Sequence, residues 1–255
     1  MGSDGEKAIP REVKHLVSVL RSPGCAYTGK PLKAVIFDLD GTLTPVRSVW
    51  QYIHERLGTW ESQGLQSLNA FLAGKITYKE FAERDVYAWR GTPHAIIESI
   101  VNEIPLRNGA REVAGTLRAF GVRTAILSSG LDVLVRRVAG LLGVERYIAN
   151  ELGFTAGVAD GRVIINVGWD GKPEHLLPLC RAWGVHPSEV AVVGDGVGDA
   201  PLFPMVGLGV AFNAAPDVAS EAHLALEGDD LRVLLPVLFG RMKGETAGGM
   251  ANRRG

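Results

Sequence analysis

Short apolar runs that end in polar or glycine-rich turns constrain the fold of this 255-residue chain more than any other feature. The three clearest runs cover residues 33–37, 123–127 and 189–193, and segments with helical periodicity lie between them. Continuous apolar runs are typical of strands buried on both faces, which occur in parallel sheets covered by crossover helices. The pattern therefore predicts an α/β fold whose core is a parallel sheet flanked by helices.

Two weaker apolar segments, residues 153–158 and 161–167, flank the dipeptide Asp160-Gly161. An Asp-Gly pair between alternating apolar residues favours a tight turn that joins two antiparallel strands. We therefore expect a small hairpin added to the parallel sheet, with its turn at Asp160-Gly161.

One connection is too long for a simple parallel sheet. About 85 residues separate the first clear strand from the second, whereas a complete βαβ unit needs only ~30. Residues 48–104 are rich in Trp and contain four groups of apolar residues at helical spacing, which predicts a small inserted helical cap. We expect an N-terminal extension with one short helix (1–31), a core (32–46 and 107–240), the cap (47–106) and a disordered basic tail (241–255).

Charge and composition exclude several classes of function. The net charge is −1 and Lys and Arg are spread along the chain, so there is no basic stripe to bind a nucleic acid. Cys25 and Cys180 lack the spacing of a metal site or a disulfide framework. No apolar run is long enough to span a bilayer, and the N-terminus lacks an apolar secretory segment. We expect a cytoplasmic enzyme with neither nucleic acid nor membrane as partner, and none of these features indicates an oligomeric state.

The strongest chemical signal is the run Asp38-Leu39-Asp40-Gly41-Thr42, directly after the first apolar strand. Open α/β sheets bind ligands at the carboxyl ends of their strands, where both acids fall. Two neighbouring carboxylates repel each other unless a cation lies beside them, and Mg²⁺ prefers carboxylate ligands. The motif predicts a magnesium site, and an acidic turn without a ligand is the alternative interpretation.

Two further turns carry groups that suit a phosphoryl group. Ser128-Ser129-Gly130 follows the second strand, and its hydroxyl and backbone N–H groups suit phosphate oxygens. Lys172 precedes Pro173, which suits the first position of a helix, so the ammonium and the helix dipole both favour an anion there. Taken alone, each feature is also typical of an ordinary turn or a surface lysine.

The third clear strand also ends in acids, within residues 194–199 (GDGVGD). The glycines allow a tight turn that directs Asp195 toward a metal shared with Asp38. Asp199, predicted in the first turn of the next helix, would bind the metal or hold its water ligands. An Asp that only caps a helix is the alternative interpretation.

In this order, the four motifs resemble those of the haloacid dehalogenase (HAD) superfamily, over about residues 33–239. The helical insertion between the first and second motifs is similar to the cap of the phosphoserine phosphatase branch, as is the segment at residues 74–78 (GKITY). The resemblance implies a Rossmann-like, HAD-type core with a helical cap. It also implies a Mg²⁺-dependent hydrolase that acts on a small phosphorylated metabolite through an aspartyl-phosphate.

The resemblance implies a role for each motif residue. Asp38 would be the nucleophile and a metal ligand, and Asp40 would give its backbone carbonyl to Mg²⁺ and act as general acid and base. Asp195 and Asp199 would complete the metal site. The superfamily's dehalogenases lack the second acid of the first motif, so Asp40 argues against dehalogenation. The residues implied to bind the phosphoryl oxygens are Leu39, Asp40, Ser128, Ser129, Gly130 and Lys172.

Three positions depart from the phosphoserine phosphatase pattern. The early cap Glu that binds the substrate amine aligns with Arg47, and the cap Arg that binds its carboxylate aligns with Asp85, next to Arg84. The Asn usual before the last motif acid is Gly198. We therefore expect a small phosphomonoester with a different charge pattern, with an anion near Arg47. In the alternative, Arg47 and Asp85 face solvent or pair with each other.

Other functions stay open at this point. They are a phosphoserine phosphatase proper, a phosphotransferase that passes the phosphoryl group to an alcohol, and a non-enzymatic phospho-accepting switch similar to response-regulator receivers. Receivers are shorter, have no cap and carry their acidic pair and their acceptor on different strands. These differences argue against the switch, whereas the first two alternatives use the same aspartyl-phosphate.

Overall fold

The computed structural model describes residues 30–242 and contains one seven-stranded sheet in the order β4-β3-β2-β1-β5-β6-β7. Every neighbouring pair of strands is parallel except β3 and β4, which are antiparallel. The predicted α/β fold with a parallel core sheet is confirmed. The strands are β1 (Ala34–Phe37), β2 (Arg123–Leu131), β3 (Arg146–Thr155), β4 (Val158–Ile164), β5 (Val190–Gly194), β6 (Leu208–Phe212) and β7 (Leu224–Leu226).

Helices cover both faces of this sheet. Val35 and Phe37 of β1 pack into one apolar core, with α5, α6 and α9, and their neighbours Ala34 and Ile36 pack into a second core, with α7 and α8. Successive side chains of a strand point to opposite faces, so a strand covered on both sides is apolar throughout. The helices are α1 (Val49–Arg56), α2 (Leu65–Leu72), α3 (Tyr78–Ala88), α4 (His94–Asn102), α5 (Ala110–Ala119), α6 (Asp132–Leu142), α7 (Lys172–Trp183), α8 (Pro216–Ser220) and α9 (Leu235–Met242).

Helices α1 to α4 occupy the long connection between β1 and α5, as the sequence predicts. Helix α3 begins with a capping box, in which the Thr77 side chain accepts from the Glu80 amide and the Glu80 carboxylate accepts from the Thr77 amide at 2.7 Å. Trp50 is buried among these helices, with ring centroids 6.0 Å from Phe81 and 5.9 Å from Trp89. The periodic aromatic residues of the insertion therefore form its own core.

The predicted hairpin is present, but its predicted turn is wrong. Strands β3 and β4 are joined at Ala156-Gly157, where φ is +50° and +79°. The Asp160-Gly161 pair lies within β4, where the register shifts and Gly161 has a φ of +81°. A left-handed Gly in a strand is typical of a β-bulge, so the same dipeptide that favours a hairpin turn produces a bulge here.

Several sequence predictions fall at the ends of the chain. The short N-terminal helix and Cys25 lie outside the described residues, as does the predicted tail from residue 243 onward. Residues 241 and 242, which we assigned to that tail, belong to helix α9. Among the helices of the described part, none is long and apolar enough to span a membrane.

Substitutions at Ala156 and Gly157 test the assigned turn, because we expect the first to stabilise the fold and the second to destabilise it. A left-handed conformation costs a non-glycine residue ~1–2 kcal/mol, and Asn tolerates it better than Ala. We expect Ala156→Asn to raise the free energy of unfolding by about 0.5–1 kcal/mol. Gly157→Ala should lower it by about 1 kcal/mol, since the added Cβ meets no atom within 4 Å and the backbone conformation is the one cost. Urea denaturation of the three proteins measures both changes, and equal stability of all three would contradict the assigned turn.

Candidate active site

The loop after β1 places two acids at the centre of the sheet, because β1 lies between β2 and β5. Gly41 has a φ of +82°, and a Cβ at this position would overlap the Asp195 carboxylate. Arg107 donates hydrogen bonds to the backbone carbonyls of Gly41, Thr42 and Thr44. The loop conformation therefore depends on a glycine and on a distant arginine that no sequence motif indicated.

The predicted acids and Lys172 lie together at this edge of the sheet. Lys172 Nζ is 2.8 Å from Asp38 Oδ1 and 2.7 Å from Asp199 Oδ1. The Thr42 hydroxyl donates to Asp195 Oδ1 at 2.8 Å. Carboxylate oxygens of Asp38, Asp195 and Asp199 all lie within 4.8 Å of one another, and all three residues are buried. Two strand ends, those of β1 and β5, and the start of α7 thus contribute to one cluster.

The prediction that Asp199 lies in the first turn of the next helix is wrong. Asp199 precedes a 3₁₀ helix (Ala200–Met205), and its Oδ2 accepts from the Gly196 amide at 3.1 Å. At Gly198, an added Cβ would lie 3.0 Å from the Trp169 carbonyl oxygen. A side chain at position 198 would therefore press against this carbonyl group unless the backbone shifts slightly.

The second motif is not the simple turn that the sequence predicts. Strand β2 continues through Ser128-Ser129-Gly130 to Leu131, with a register shift relative to β3 between Leu127 and Leu131. The Ser128 side chain is buried, and its Oγ accepts from the Gly130 amide at 2.9 Å. An added Cβ at Gly130 would lie 2.6 Å from Asp40 Oδ2, so the glycine lets the first two motifs approach.

Three side chains that sequence analysis did not assign to the site converge on the Ser129 carbonyl oxygen. Asn150 Nδ2 donates to it at 2.8 Å, the Tyr78 hydroxyl at 2.9 Å and Trp50 Nε1 at 3.2 Å. Trp50 and Tyr78 belong to α1 and α3, whereas Asn150 belongs to β3. Tyr78 had a sequence signal in the stretch at residues 74–78, whereas Asn150 had none. These bonds connect the inserted helices to the strand that carries Ser128.

Burial and repulsion shift the ionisation of the acidic cluster. Burial raises the pKa of Asp38 well above its usual range, and Asp199 and Asp195 add to the rise while Lys172 opposes it. Burial also raises the pKa of Asp40 to about 7 and that of Asp195 to about 6. Burial alone would lower the pKa of Lys172, but the Asp199 and Asp38 carboxylates raise it above its ordinary value.

These residues fit a hard divalent cation. The cluster contains four carboxyl groups, those of Asp38, Asp40, Asp195 and Asp199, and two cationic side chains, Lys172 and Arg47, lie beside it. Full ionisation leaves an excess of two negative charges, and Asp40 Oδ1 is buried without a hydrogen-bond partner. Carboxylate oxygens are the ligands that hard divalent cations such as Mg²⁺ prefer.

A cavity of about 250 Å³ extends from this cluster to the inserted helices. Arg47 lies on its wall with a side chain that is 69 % exposed, donates to the Asn213 carbonyl at 3.1 Å and lies 3.8 Å from Asp195 Oδ2. Asp85 also lines the cavity but is only 1 % exposed and lies 3.4 Å from His54 Nε2. The alternative in which Arg47 and Asp85 face solvent or pair with each other is therefore wrong for Asp85.

Arg84 lies elsewhere. It is exposed and lines a larger, open cleft of about 1030 Å³ between α3 and the β3–β4 hairpin. None of the residues of the four motifs lines that cleft. Shifting the alignment by one residue would put Arg84 in the position of Asp85. The structure does not support that shift, because Arg84 lies outside the cavity.

Comparison with known proteins identifies relatives of this chain. A family model described as haloacid dehalogenase-like hydrolase matches residues 35–204. Phosphoserine phosphatase SerB2 of Mycobacterium tuberculosis is 29 % identical over 245 residues, which cover 94 % of this chain but 59 % of that protein. A phosphoserine phosphatase of Albidiferax ferrireducens is 31 % identical over 211 residues, covering 80 % of this chain and 88 % of that protein. A solved structure of a phospho-aspartyl intermediate analogue of phosphoserine phosphatase has a TM-score of 0.71 and 27 % identity, covering 82 % of this chain and 99 % of that one.

The excess of negative charge predicts that a divalent cation stabilises the protein. At a Mg²⁺ concentration 100 times its Kd, we expect the free energy of unfolding to rise by about 2.7 kcal/mol. Asp195→Asn should remove most of this gain, because it deletes one negative charge and replaces one carboxylate oxygen by an NH₂ group. Thermal denaturation with Mg²⁺ and with a chelator measures the difference. The matched control is Asp217→Asn, at an exposed acid of α8, and an equal gain in Asp195→Asn and the control would place the cation elsewhere.

Proposed function

Because the chain belongs to the haloacid dehalogenase-like hydrolase family, we propose that it is a phosphatase that hydrolyses a phosphoric monoester of a small metabolite, with Asp38 as nucleophile. The observation that carries this proposal is the position of Asp38. Its carboxylate is buried at the end of the central strand, 2.8 Å from Lys172 Nζ and beside Asp195 and Asp199. A buried acid with one cationic partner and two acidic neighbours is costly for stability, and it suits a nucleophile that meets a phosphoryl group.

The first half of the reaction transfers the phosphoryl group to Asp38. One Asp38 oxygen attacks phosphorus, and the bond between phosphorus and the leaving-group oxygen breaks as the new bond forms. Asp40, whose pKa burial raises to about 7, is partly protonated at neutral pH and gives its proton to the leaving oxygen. The alcohol leaves, and an aspartyl-phosphate remains.

The second half uses the same groups in reverse. Asp40, now a carboxylate, takes a proton from a water molecule while the oxygen of that water attacks phosphorus. The bond from phosphorus to the Asp38 oxygen then breaks. Inorganic phosphate is released and Asp38 is restored as a carboxylate. One residue thus serves as acid and then as base, which requires a pKa near the working pH.

Charge and position stabilise the phosphoryl oxygens in both halves. The Lys172 ammonium and the Ser128 hydroxyl lie at the site, together with the backbone around Leu39, Asp40 and Ser129. The Gly130 amide, implied by the resemblance to bind phosphate, donates to Ser128 Oγ and so orients that hydroxyl. Phosphoryl transfer depends mainly on such positioning and charge stabilisation.

Asp38, Asp195 and Asp199 would hold the divalent metal, with Mg²⁺ as the expected ion and the Asp40 backbone carbonyl as a further ligand. When bound, the metal supplies positive charge that offsets the charge of the phosphoryl oxygens. Thr42 holds the Asp195 carboxylate through its hydroxyl and so fixes one ligand in place.

The inserted helices, residues 47–106, form a cap over this site in our proposal. Trp50 and Tyr78 donate to the Ser129 carbonyl and bring the cap against strand β2. A cavity of about 250 Å³ limits the substrate to a small metabolite.

Removal of the nucleophile tests the proposed reaction. We expect Asp38→Asn to lower kcat for Mg²⁺-dependent phosphate release from 4-nitrophenyl phosphate by roughly 10³-fold or more, because no covalent intermediate forms. Asp217→Asn is the control and should keep the wild-type rate, since it makes the same change at an exposed acid. Mass spectrometry of acid-quenched wild-type enzyme should detect the phosphorylated form during turnover. Full activity of Asp38→Asn would contradict the covalent mechanism.

A further inference from the structure

The cap end of the catalytic cavity contains a buried carboxylate that the proposed reaction does not use. Asp85 lies in α3, is 1 % exposed and lines the cavity. Neither of its oxygens receives a hydrogen bond of acceptable geometry from a described residue. A buried carboxylate without hydrogen-bond donors is costly for stability. A ligand that supplies donors or positive charge would offset this cost.

The neighbouring His54 satisfies Asp85 only in part. His54 Nε2 lies 3.4 Å from Asp85 Oδ1, beyond the ~3.2 Å limit of ordinary N–H···O hydrogen bonds. The opposite ring nitrogen, Nδ1, is 2.7 Å from the Thr59 hydroxyl, and the ring packs edge-on against Trp89. Burial raises the pKa of Asp85, and the neighbouring His54 and Ser67 side chains oppose the rise. His54 and Ser67 therefore position the Asp85 carboxylate, but neither gives it a hydrogen bond of good geometry.

Aromatic side chains line the same cavity as Asp85 and the acidic cluster. They come from the cap and from the loop before α7, and ring centroids of Trp50 and Phe81 are 6.0 Å apart and those of Tyr78 and Trp169 are 6.5 Å apart. Aromatic faces attract cations, and the attraction grows when the site excludes water. The aromatic residues that line the cavity are Trp50, Trp60, Tyr78, Phe81 and Trp169.

Apart from His54, which carries a charge only when protonated, no cationic side chain among the described residues of the cavity is placed to pair with Asp85. Among the described residues that line the cavity, the cationic ones are Lys172, which contacts Asp38 and Asp199, and Arg47, which contacts Asp195. Arg84, the neighbour of Asp85 in α3, is exposed in the separate cleft. A neutral His54 leaves the positive charge that matches Asp85 for the substrate to bring.

We propose that the cap end of the cavity binds an ammonium group carried by the leaving alcohol, so that the substrate is a short aminoalkyl phosphate. Asp85 forms the ion pair, and the aromatic wall surrounds the carbon chain and the ammonium. The inference rests on the proposed function, since the phosphoryl group of the same molecule lies at Asp38. A substrate carboxylate beside the amine would meet Asp85 as a like charge, with Arg84 outside the cavity.

Matched substrates test this inference. We expect kcat/KM for 2-aminoethyl phosphate to exceed that for its neutral isostere propyl phosphate by about tenfold or more, since each 1.4 kcal/mol of selective binding is a factor of ten. Choline phosphate and 3,3-dimethylbutyl phosphate repeat the comparison for a quaternary ammonium. In Asp85→Asn the ratios should fall to about one while turnover of propyl phosphate persists, and Arg84→Gln should keep the wild-type ratios. A residue with a purely structural role would change all four substrates equally.

Two outcomes overturn the inference, and both leave the proposed function intact. The first is hydrolysis of 4-nitrophenyl phosphate together with equal kcat/KM for the charged and neutral members of each pair. The second is preference for L-phosphoserine over 2-aminoethyl phosphate. Calorimetric binding to Asp38→Asn decides the case without turnover and without altering Asp85. Tighter binding of 2-aminoethyl phosphate than of propyl phosphate supports the ammonium site even if no ester is hydrolysed, whereas equal binding rejects it.

Discussion

A concentration of negative charge at the ends of the central strands determines the rest of the arrangement. The parallel strand order places β1 between β2 and β5, and the acids that follow β1 and β5 therefore meet in a buried region. Their repulsion must be offset from other elements. Lys172 offsets part of it from the start of α7, in contact with both Asp38 and Asp199, and a divalent cation would offset the remainder.

The sequence predicts this cluster because its members follow strands, and the order of parallel strands is constrained by their crossover connections. The long insertion could be recognised in the same way, since its length exceeds that of a crossover. The hairpin turn could not be recognised from the sequence. Ala156 adopts a left-handed conformation without the Asn or Gly that usually indicates one, whereas Asp160-Gly161 has the composition of a turn and forms a bulge.

The contacts that hold the motif residues in place have weaker signals in the sequence. Arg107 and Asn150 act through hydrogen bonds to backbone carbonyls, and any residue supplies a carbonyl, so no pairing of side-chain types reveals the contact. The cap shows a second reason why the sequence alone does not identify such contacts. Successive residues of a helix point about 100° apart, so Asp85 lines the catalytic cavity while Arg84 faces a different cleft. An alignment uncertain by one residue therefore cannot decide which charge meets the substrate.

The Ser129 carbonyl links the position of the cap to the chemistry below it. Two of its three donors, Trp50 and Tyr78, belong to the cap, and the preceding residue, Ser128, carries the hydroxyl that we propose binds a phosphoryl oxygen. The irregular end of β2 is thus held by donors from two separate parts of the chain, the inserted helices and β3. Any displacement of α1 or α3 would remove donors from this carbonyl, so the conformation beside Ser128 depends on the position of the inserted helices.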